Sequence, residues 1–264
     1  MRSYDDLITE ASAADVTGWD FAWLEGRATE ERTPWGYAQQ LAARLPTASA
    51  ALDLDTGGGE IIAGVPALPP RTVLTEAWGP NVERLRTRRH AGTGASDAVP
   101  TVVPQVVQAA TDQLPFADAT FDLVTSRHPI TPHWHEIARV LTDDGTYFAQ
   151  HVGPRSAFEL IEYFLGPLPH ARTARDPQHE SAAAHTAGLT VTDLRTARCR
   201  MEFHDIGAVV WTLRRCVWWV PDFTVARYEP QLRDLDAQLR AGQPFAAHST
   251  RTLIEARRRP RRSH

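Results

Sequence analysis

The stretch Leu52-Asp53-Leu54-Asp55-Thr56-Gly57-Gly58-Gly59-Glu60 decides how this chain folds. Ala50 to Leu54 (AALDL) is an apolar run that ends in a glycine cluster, the pattern of a short buried strand, a tight turn and a helix start. In an open α/β sheet such a turn lies at the carboxyl ends of the strands, where ligands bind, and glycine lets the backbone approach them closely. Asp53 puts a carboxylate where a dinucleotide fold would turn its backbone towards a pyrophosphate. A negative charge there suits a ligand that carries an ammonium group.

Downstream, strand and helix signals alternate. RTVLT (71–75) is a second strand run closed by Glu76, and a carboxylate at that place can accept both hydroxyls of a ribose. NVERLRTRRH (81–90) reads as a helix, and TVVPQVV (101–107) as a weaker strand that Pro104 pushes to an edge or a bulge. FDLVTSR (121–127) and GTYFAQHVG (145–153) are further strands, with HWHEIARVLTDDG (133–145) between them as a helix stopped by turn residues. SAFELIEYFLG (156–166), DIGAVVWTLRRCVWWV (205–220) and residues 224–241 read as helices, and 190–203 and STRTLIEARRR (249–259) as alternating strands. This alternation predicts an α/β fold with a mostly parallel sheet and helices on both faces.

Upstream, residues 1–48 read as a helical arm broken at Gly18, Gly26 and Pro34. Trp19, Phe21, Trp23, Trp35 and Tyr37 give it unusual aromatic weight. They either pack short helices onto a core or form a lid over a site.

These residues resemble a class I S-adenosylmethionine-dependent methyltransferase. The likeness is carried by LDLDTGGGE (52–60), VLTEAW (73–78), LPFADATFDLVTSRH (114–128), HEIARVLTDDGTYF (135–148) and STRTLIEARR (249–258). It implies a Rossmann-like, doubly wound, mostly parallel seven-stranded sheet with an antiparallel last strand. The arm at 1–48 would be an N-terminal helical lid, and 49–264 the methyltransferase domain, with cap elements around 155–241. The implied cofactor is S-adenosyl-L-methionine, held by Asp53, Thr56, Gly57, Gly59, Glu76, Ala110, Thr111, Asp112 and Ser126. Two positions depart from the pattern. Asp55 stands where the family's loop has its first glycine, and Ala110 where its adenine-binding carboxylate commonly lies, leaving Asp112 as the nearest acid.

Methyl transfer from a sulfonium is an in-line displacement, so alignment is the protein's main task. An oxygen or nitrogen acceptor must also lose a proton, and histidine is the natural base near neutral pH. His128 follows the 121–127 strand and His151 lies near the end of the 145–153 strand, so both are expected at the carboxyl edge as candidate catalytic bases. His133, His135 and His204 are further candidates, but His133 and His135 cannot share a helix face, so no metal site is expected. Trp19, Trp35, Tyr37 and Arg127 are candidate substrate contacts; Arg127 would hold a substrate carboxylate or pair with an internal acid. Trp211, Trp218, Trp219, Phe223 and Tyr228 supply apolar surface for a cap, with Trp211 and Trp218 expected in the core.

Composition narrows the alternatives. The 264 residues are 42% hydrophobic and 23% charged, an ordinary globular mixture. All 28 Lys+Arg cations are arginine, which excludes a Schiff-base lysine and a Walker lysine. Cys199 and Cys216 form no CxxC pair, so a cysteine-rich zinc module is excluded and a reducing compartment suits the chain. A net charge of -4 and the absence of a D/N-P-P-Y/F box argue against nucleic acid as a partner. No apolar run approaches the ~20 residues that span a bilayer, and no signal core opens the sequence, so a cytoplasmic protein with a small-molecule substrate and no membrane partner is expected. A nicotinamide dehydrogenase fits poorly, because its third fingerprint glycine would fall at Ile62. A methyltransferase fold that binds the cofactor but serves as a partner subunit, or runs another reaction, stays open through Asp55. The lysine-free, Ala- and Arg-rich composition and the small-molecule reading together suggest secondary metabolism in a bacterium with a GC-rich genome.

Overall fold

The computed structural model describes residues 2–17, 21–91 and 102–260. The strands are β1 (Ala28–Glu30), β2 (Ala50–Leu54), β3 (Arg71–Glu76), β4 (Gln105–Gln108), β5 (Phe121–Arg127), β6 (Leu141–Val152), β7 (Leu189–Phe203) and β8 (Phe245–Arg258). The helices are α1 (Tyr4–Ala13), α2 (Tyr37–Arg44), α3 (Glu60–Ala63), α4 (Gly79–Ala91), α5 (Trp134–Val140), α6 (Phe158–Leu165), α7 (Pro177–Thr186), α8 (Ile206–Arg215) and α9 (Glu229–Arg240). Hydrogen bonding orders the strands β1-β7-β8-β6-β5-β2-β3-β4. The pairs β2–β3, β2–β5, β3–β4 and β5–β6 are parallel, whereas β8 runs antiparallel to β6. This is the expected doubly wound α/β sheet with an antiparallel last strand, with eight strands among the described residues where seven were expected.

The extra strand is β1, which pairs antiparallel with residues 201–203 of β7 inside the arm expected to be helical. The chain forms two compact units, and none of the breaks between them falls at residue 48. One comprises Met1–Arg32, Pro154–Ala174 and Arg198–Thr250; the other comprises Thr33–Gly153, Arg175–Ala197 and Arg251–His264. The arm is therefore divided: α1 and β1 belong to the first unit and α2 to the second.

Within the first unit α8 is the core element, buried at nine of its positions and N-capped by Asp205, whose carboxylate accepts from the Ala208 N–H at 2.8 Å. Capping of this kind satisfies a helix-end donor. Trp211 is fully buried and stacks on Trp23 at 5.6 Å, and Phe223 stacks on Tyr228 at 5.7 Å. Trp218 departs from expectation: α8 ends at Arg215, and Trp218 is 56% exposed.

Within the second unit the parallel strands explain their own composition. β2 and β5 are covered on both faces, so they read as continuous apolar runs closed by polar residues at their carboxyl ends. One face packs Leu52, Val124, Trp134 and Tyr147; the other packs Ala51, Leu123, Phe148 and Tyr37. The strand expected at 101–107 is shorter and later, at Gln105–Gln108, on the sheet edge directly after Pro104. Thr142 to Gly145, expected as a turn, continue into β6, with Asp144 at φ 63 and a register shift opposite Phe121 and Leu123. Among the described residues no helix is long and apolar enough to cross a membrane.

Candidate active site

The carboxyl ends of β2, β3, β5 and β6 bring most of the candidate residues to one edge of the second unit. After β2 the chain turns through Asp55 (φ 51), Gly57 (φ 65) and Gly59 (φ 80), all in the left-handed region. Aspartate enters that region more readily than most residues, which is how Asp55 occupies a place that glycine would fill. Gly59 has a second reason to be glycine, since a Cβ there would lie 2.6 Å from Leu85 Cδ2.

Glu76 ties the loop down. Its Oε2 accepts from the Gly57 N–H at 2.9 Å and from Asn81 Nδ2 at 3.3 Å, and its Oε1 accepts from the Trp78 N–H at 3.0 Å. Asn81 is buried, and its Oδ1 has no hydrogen-bond partner among the described residues. An orphaned acceptor beside a carboxylate suits a ligand with hydroxyl donors. Asp53 is buried as well; its Oδ1 accepts from the Thr125 hydroxyl at 2.6 Å, and Thr56 and Thr75 donate to its carbonyl. Burial pushes Asp53 up to about 6, against the hydrogen bonds from Thr125 and Thr56, and pushes Asp55 up to about 6 with help from the Glu76 charge. Three acids are thus crowded at one loop, and a cation would relieve them.

Ala109 donates its N–H to the Glu76 carbonyl at 3.1 Å, which fixes the start of the 110–112 segment. Ala110 and Asp112 are exposed and Thr111 is half-buried. Thr111, Asp55, Ser126, Pro129, His133 and Tyr147 border a cavity of ≈ 10 Å³, space for about one water. Ser126 is buried, its hydroxyl donating to the Leu54 carbonyl at 3.2 Å.

The two histidines expected as bases sit in different networks. His151 is 2% exposed and has both ring nitrogens engaged: Nδ1 with Glu180 Oε2 at 2.6 Å and Nε2 with the Tyr147 hydroxyl at 2.9 Å. With the carboxylate taking the Nδ1 proton, Nε2 accepts from Tyr147, so His151 meets the cavity only through that phenol. Tyr147 and His151 lie four residues apart on β6 and so share a face. His128, at φ 61, engages Gln150 Nε2 through its own Nε2 at 3.1 Å. Burial and the charges of Arg251 and Arg127 hold its pKa well below the ordinary histidine value, so the ring is neutral near pH 7.

Of the expected substrate contacts, Trp35 and Tyr37 are buried with their polar atoms committed. Trp35 Nε1 donates to Gln150 Oε1 at 2.8 Å, and the Tyr37 hydroxyl donates to the Ser126 carbonyl at 3.1 Å while its ring stacks on Phe148. Arg127 is exposed at the end of β5. Trp19 lies outside the described residues. His133 borders the cavity, and His135 is exposed on α5. Among the described residues no group of three or more His, Cys, Asp and Glu could hold a metal ion. Sequence reasoning passed over Tyr147, Gln150, Glu180 and Asn81. Strand alternation could have linked Tyr147 to His151, but nothing local links Glu180, on a distant helix, to either.

Residues 52–149 match the family model described as a methyltransferase domain. Among solved structures, a candidate methyltransferase from Bacillus halodurans C-125 has a TM-score of 0.60 at 16% identity, over 84% of this chain and 97% of that one. The YcgJ protein from Bacillus subtilis has a TM-score of 0.60 at 15% identity, over 85% and 99%. The cyclase SpnF has a TM-score of 0.51 at 14% identity, over 84% and 79%. At these identities the likeness is one of fold. No curated protein sequence matches the chain.

Proposed function

We propose that this chain, whose residues 52–149 are a methyltransferase domain within the class I methyltransferase fold, moves a methyl group from S-adenosyl-L-methionine to an oxygen, nitrogen or carbon nucleophile of a small molecule, in secondary metabolism. The observation that carries this reading is the gathering of Asp53, Asp55 and Glu76 from two adjacent parallel strands around the Gly57–Gly59 turn. Two of these acids are desolvated, and the third lies beside an orphaned amide oxygen.

The residues fit the cofactor's chemistry. Asp53 and Asp55 take its ammonium end. Glu76 and Asn81 Oδ1 take the ribose hydroxyls, for which Glu76 Oε1 still has acceptor capacity beyond the Trp78 N–H. Ala110, Thr111 and Asp112 border the adenine, and Thr56, Gly57, Gly59 and Ser126 shape the remaining wall. When bound, S-adenosylmethionine supplies an electrophilic methyl on sulfur. A ligand of that size needs several hundred Å³. The ≈ 10 Å³ cavity must therefore widen when the cofactor binds; Pro129, Thr131, Pro132 and His133 form the part of its wall that follows β5.

For a nucleophile that carries a proton, the chain offers the Glu180–His151–Tyr147 line. The Tyr147 oxygen receives the acceptor's proton while its own passes to His151 Nε2, and Glu180 offsets the imidazolium charge. The protein keeps Tyr147 protonated at rest, since burial raises its pKa well above 10. Arg127 is proposed to face the substrate; Trp35 and Tyr37 act by positioning Gln150 and Ser126.

The test is titration calorimetry of S-adenosylmethionine and S-adenosylhomocysteine against the full chain, followed by a methyl-transfer screen of small oxygen, nitrogen and carbon nucleophiles. Binding that Glu76→Ala weakens about 100-fold, together with turnover by the unaltered chain, supports the reading; no binding by the unaltered chain refutes it. A second reading is favoured by Asp55 in the loop and by the fold shared with a cyclase: the cofactor binds, but the chain serves as a partner subunit or catalyses a different reaction. Tight binding without methyl transfer across the screen would favour it.

A further inference from the structure

We propose that His128 is a fixed hydrogen-bond donor rather than a base, and that its Nδ1–H meets an electron-rich oxygen of the methyl-acceptor molecule. The identity of that molecule rests on the methyl-transfer reading; the donor rests on hydrogen bonds alone. An indole N–H can only donate. Trp35 Nε1 lies 2.8 Å from Gln150 Oε1, so the amide must turn its oxygen towards Trp35. Its NH₂ then faces His128 Nε2 at 3.1 Å, and that nitrogen must accept. The opposite setting would place two donors against each other at the indole.

The ring proton therefore sits on Nδ1. Protonating Nε2 as well would drive a second N–H into the amide NH₂, the same direction in which burial and the nearby guanidiniums of Arg251, Arg127 and Arg175 act. Gln150 holds the residue a second time, since the His128 backbone N–H donates to the Gln150 carbonyl at 2.7 Å. That bond fixes the left-handed φ of 61 at His128. Nδ1 has no hydrogen-bond partner among the described residues, and His128, although desolvated enough to hold its pKa down, keeps part of its surface exposed. A donor set among cations selects a carboxylate, phenolate or carbonyl oxygen and rejects a protonated amine. Trp35 and Gln150 are positioning residues for this donor.

Long-range ¹H–¹⁵N spectra of the labelled full chain test the proposal without a known substrate. His128 is expected as the Nδ1–H tautomer, with no titration near the ordinary histidine value of about 6.5. Added benzoate should shift its Nδ1–H signal, and benzylammonium should not. Gln150→Glu should move the proton to Nε2, make the ring titrate and abolish the benzoate response; Trp35→Phe, which leaves the amide free to turn, should give mixed tautomers. An Nε2–H tautomer in the wild type, ordinary titration, or equal responses to benzoate and benzylammonium would overturn the proposal. Calorimetry of S-adenosylhomocysteine in the same samples reports separately on the methyl-transfer reading, because Gln150 has no part in holding the cofactor.

Discussion

The two halves of the strand-end edge follow opposite electrostatic plans. On the glycine-loop side, Asp53 and Asp55 are pushed up to about 6 by burial, and Glu76 shares its site with an orphaned Asn81 oxygen. On the histidine side the polar atoms are largely spent: His151 has both nitrogens bonded and His128 has one, each by a partner that fixes its tautomer. Charge left without a partner costs stability and is tolerated where a ligand will supply the counter-charge. Hydrogen bonds made in advance cost nothing at the moment of reaction. One side of the edge thus waits for a cation, and the other is set before anything binds.

The largest effects should come from breaking the histidine side. Tyr147→Phe keeps the ring and removes the hydroxyl that reaches His151, so turnover should fall about 100-fold or more while the S-adenosylhomocysteine dissociation constant stays within about twofold. Glu180→Gln should follow the same pattern; a change in affinity alone would show that the line is only structural. On the other side, Glu76→Ala removes charged hydrogen bonds worth about 1.5–3 kcal/mol each and should weaken cofactor binding about 100-fold by calorimetry. An unchanged affinity would move the ribose elsewhere.

Asp55→Asn sharpens the contrast, since asparagine tolerates the left-handed backbone but carries no charge. A carboxyl held at about 6 in the fold, against 3.8 ordinarily, contributes stability that is full below about pH 4 and lost as pH rises through 6. The variant should therefore match the wild type near pH 4 and exceed it by about 1–2 kcal/mol at neutral pH in denaturant titrations, while binding the cofactor about tenfold more weakly. Equal stability at both pH values would mean that Asp55 is not desolvated. The smallest effect belongs to Tyr37→Phe, which removes one bond to the Ser126 carbonyl and should cost about 1 kcal/mol in the same titration, with turnover little changed.

The parallel sheet was legible because buried strands such as Ala50–Leu54 and Phe121–Arg127 are short apolar runs bounded by turn residues, a local signal. The carboxylates were legible for the same reason, since each closes such a run. β1 was not: three residues, Ala28–Glu30, are too few to show alternation, and only pairing with β7 makes them a strand. The histidines were placed at the right edge, but their roles depend on Gln150, Trp35 and Glu180, side chains that only tertiary packing brings to the rings. Tyr147, which the sequence shows only as part of the 145–153 strand, joins the candidate site for the same reason. Asp55, read as a departure from the loop pattern, proved to be in the conformation that glycine would supply.

The most direct test of the cation site is proton-linked calorimetry. S-adenosylhomocysteine is titrated into the full chain near pH 6 in buffers of different ionisation enthalpy. If its ammonium lands on Asp53 and Asp55, their carboxyls drop below about 6 and binding releases protons, an effect that disappears by pH 8. Proton uptake, or binding with no proton exchange at pH 6, would contradict the account.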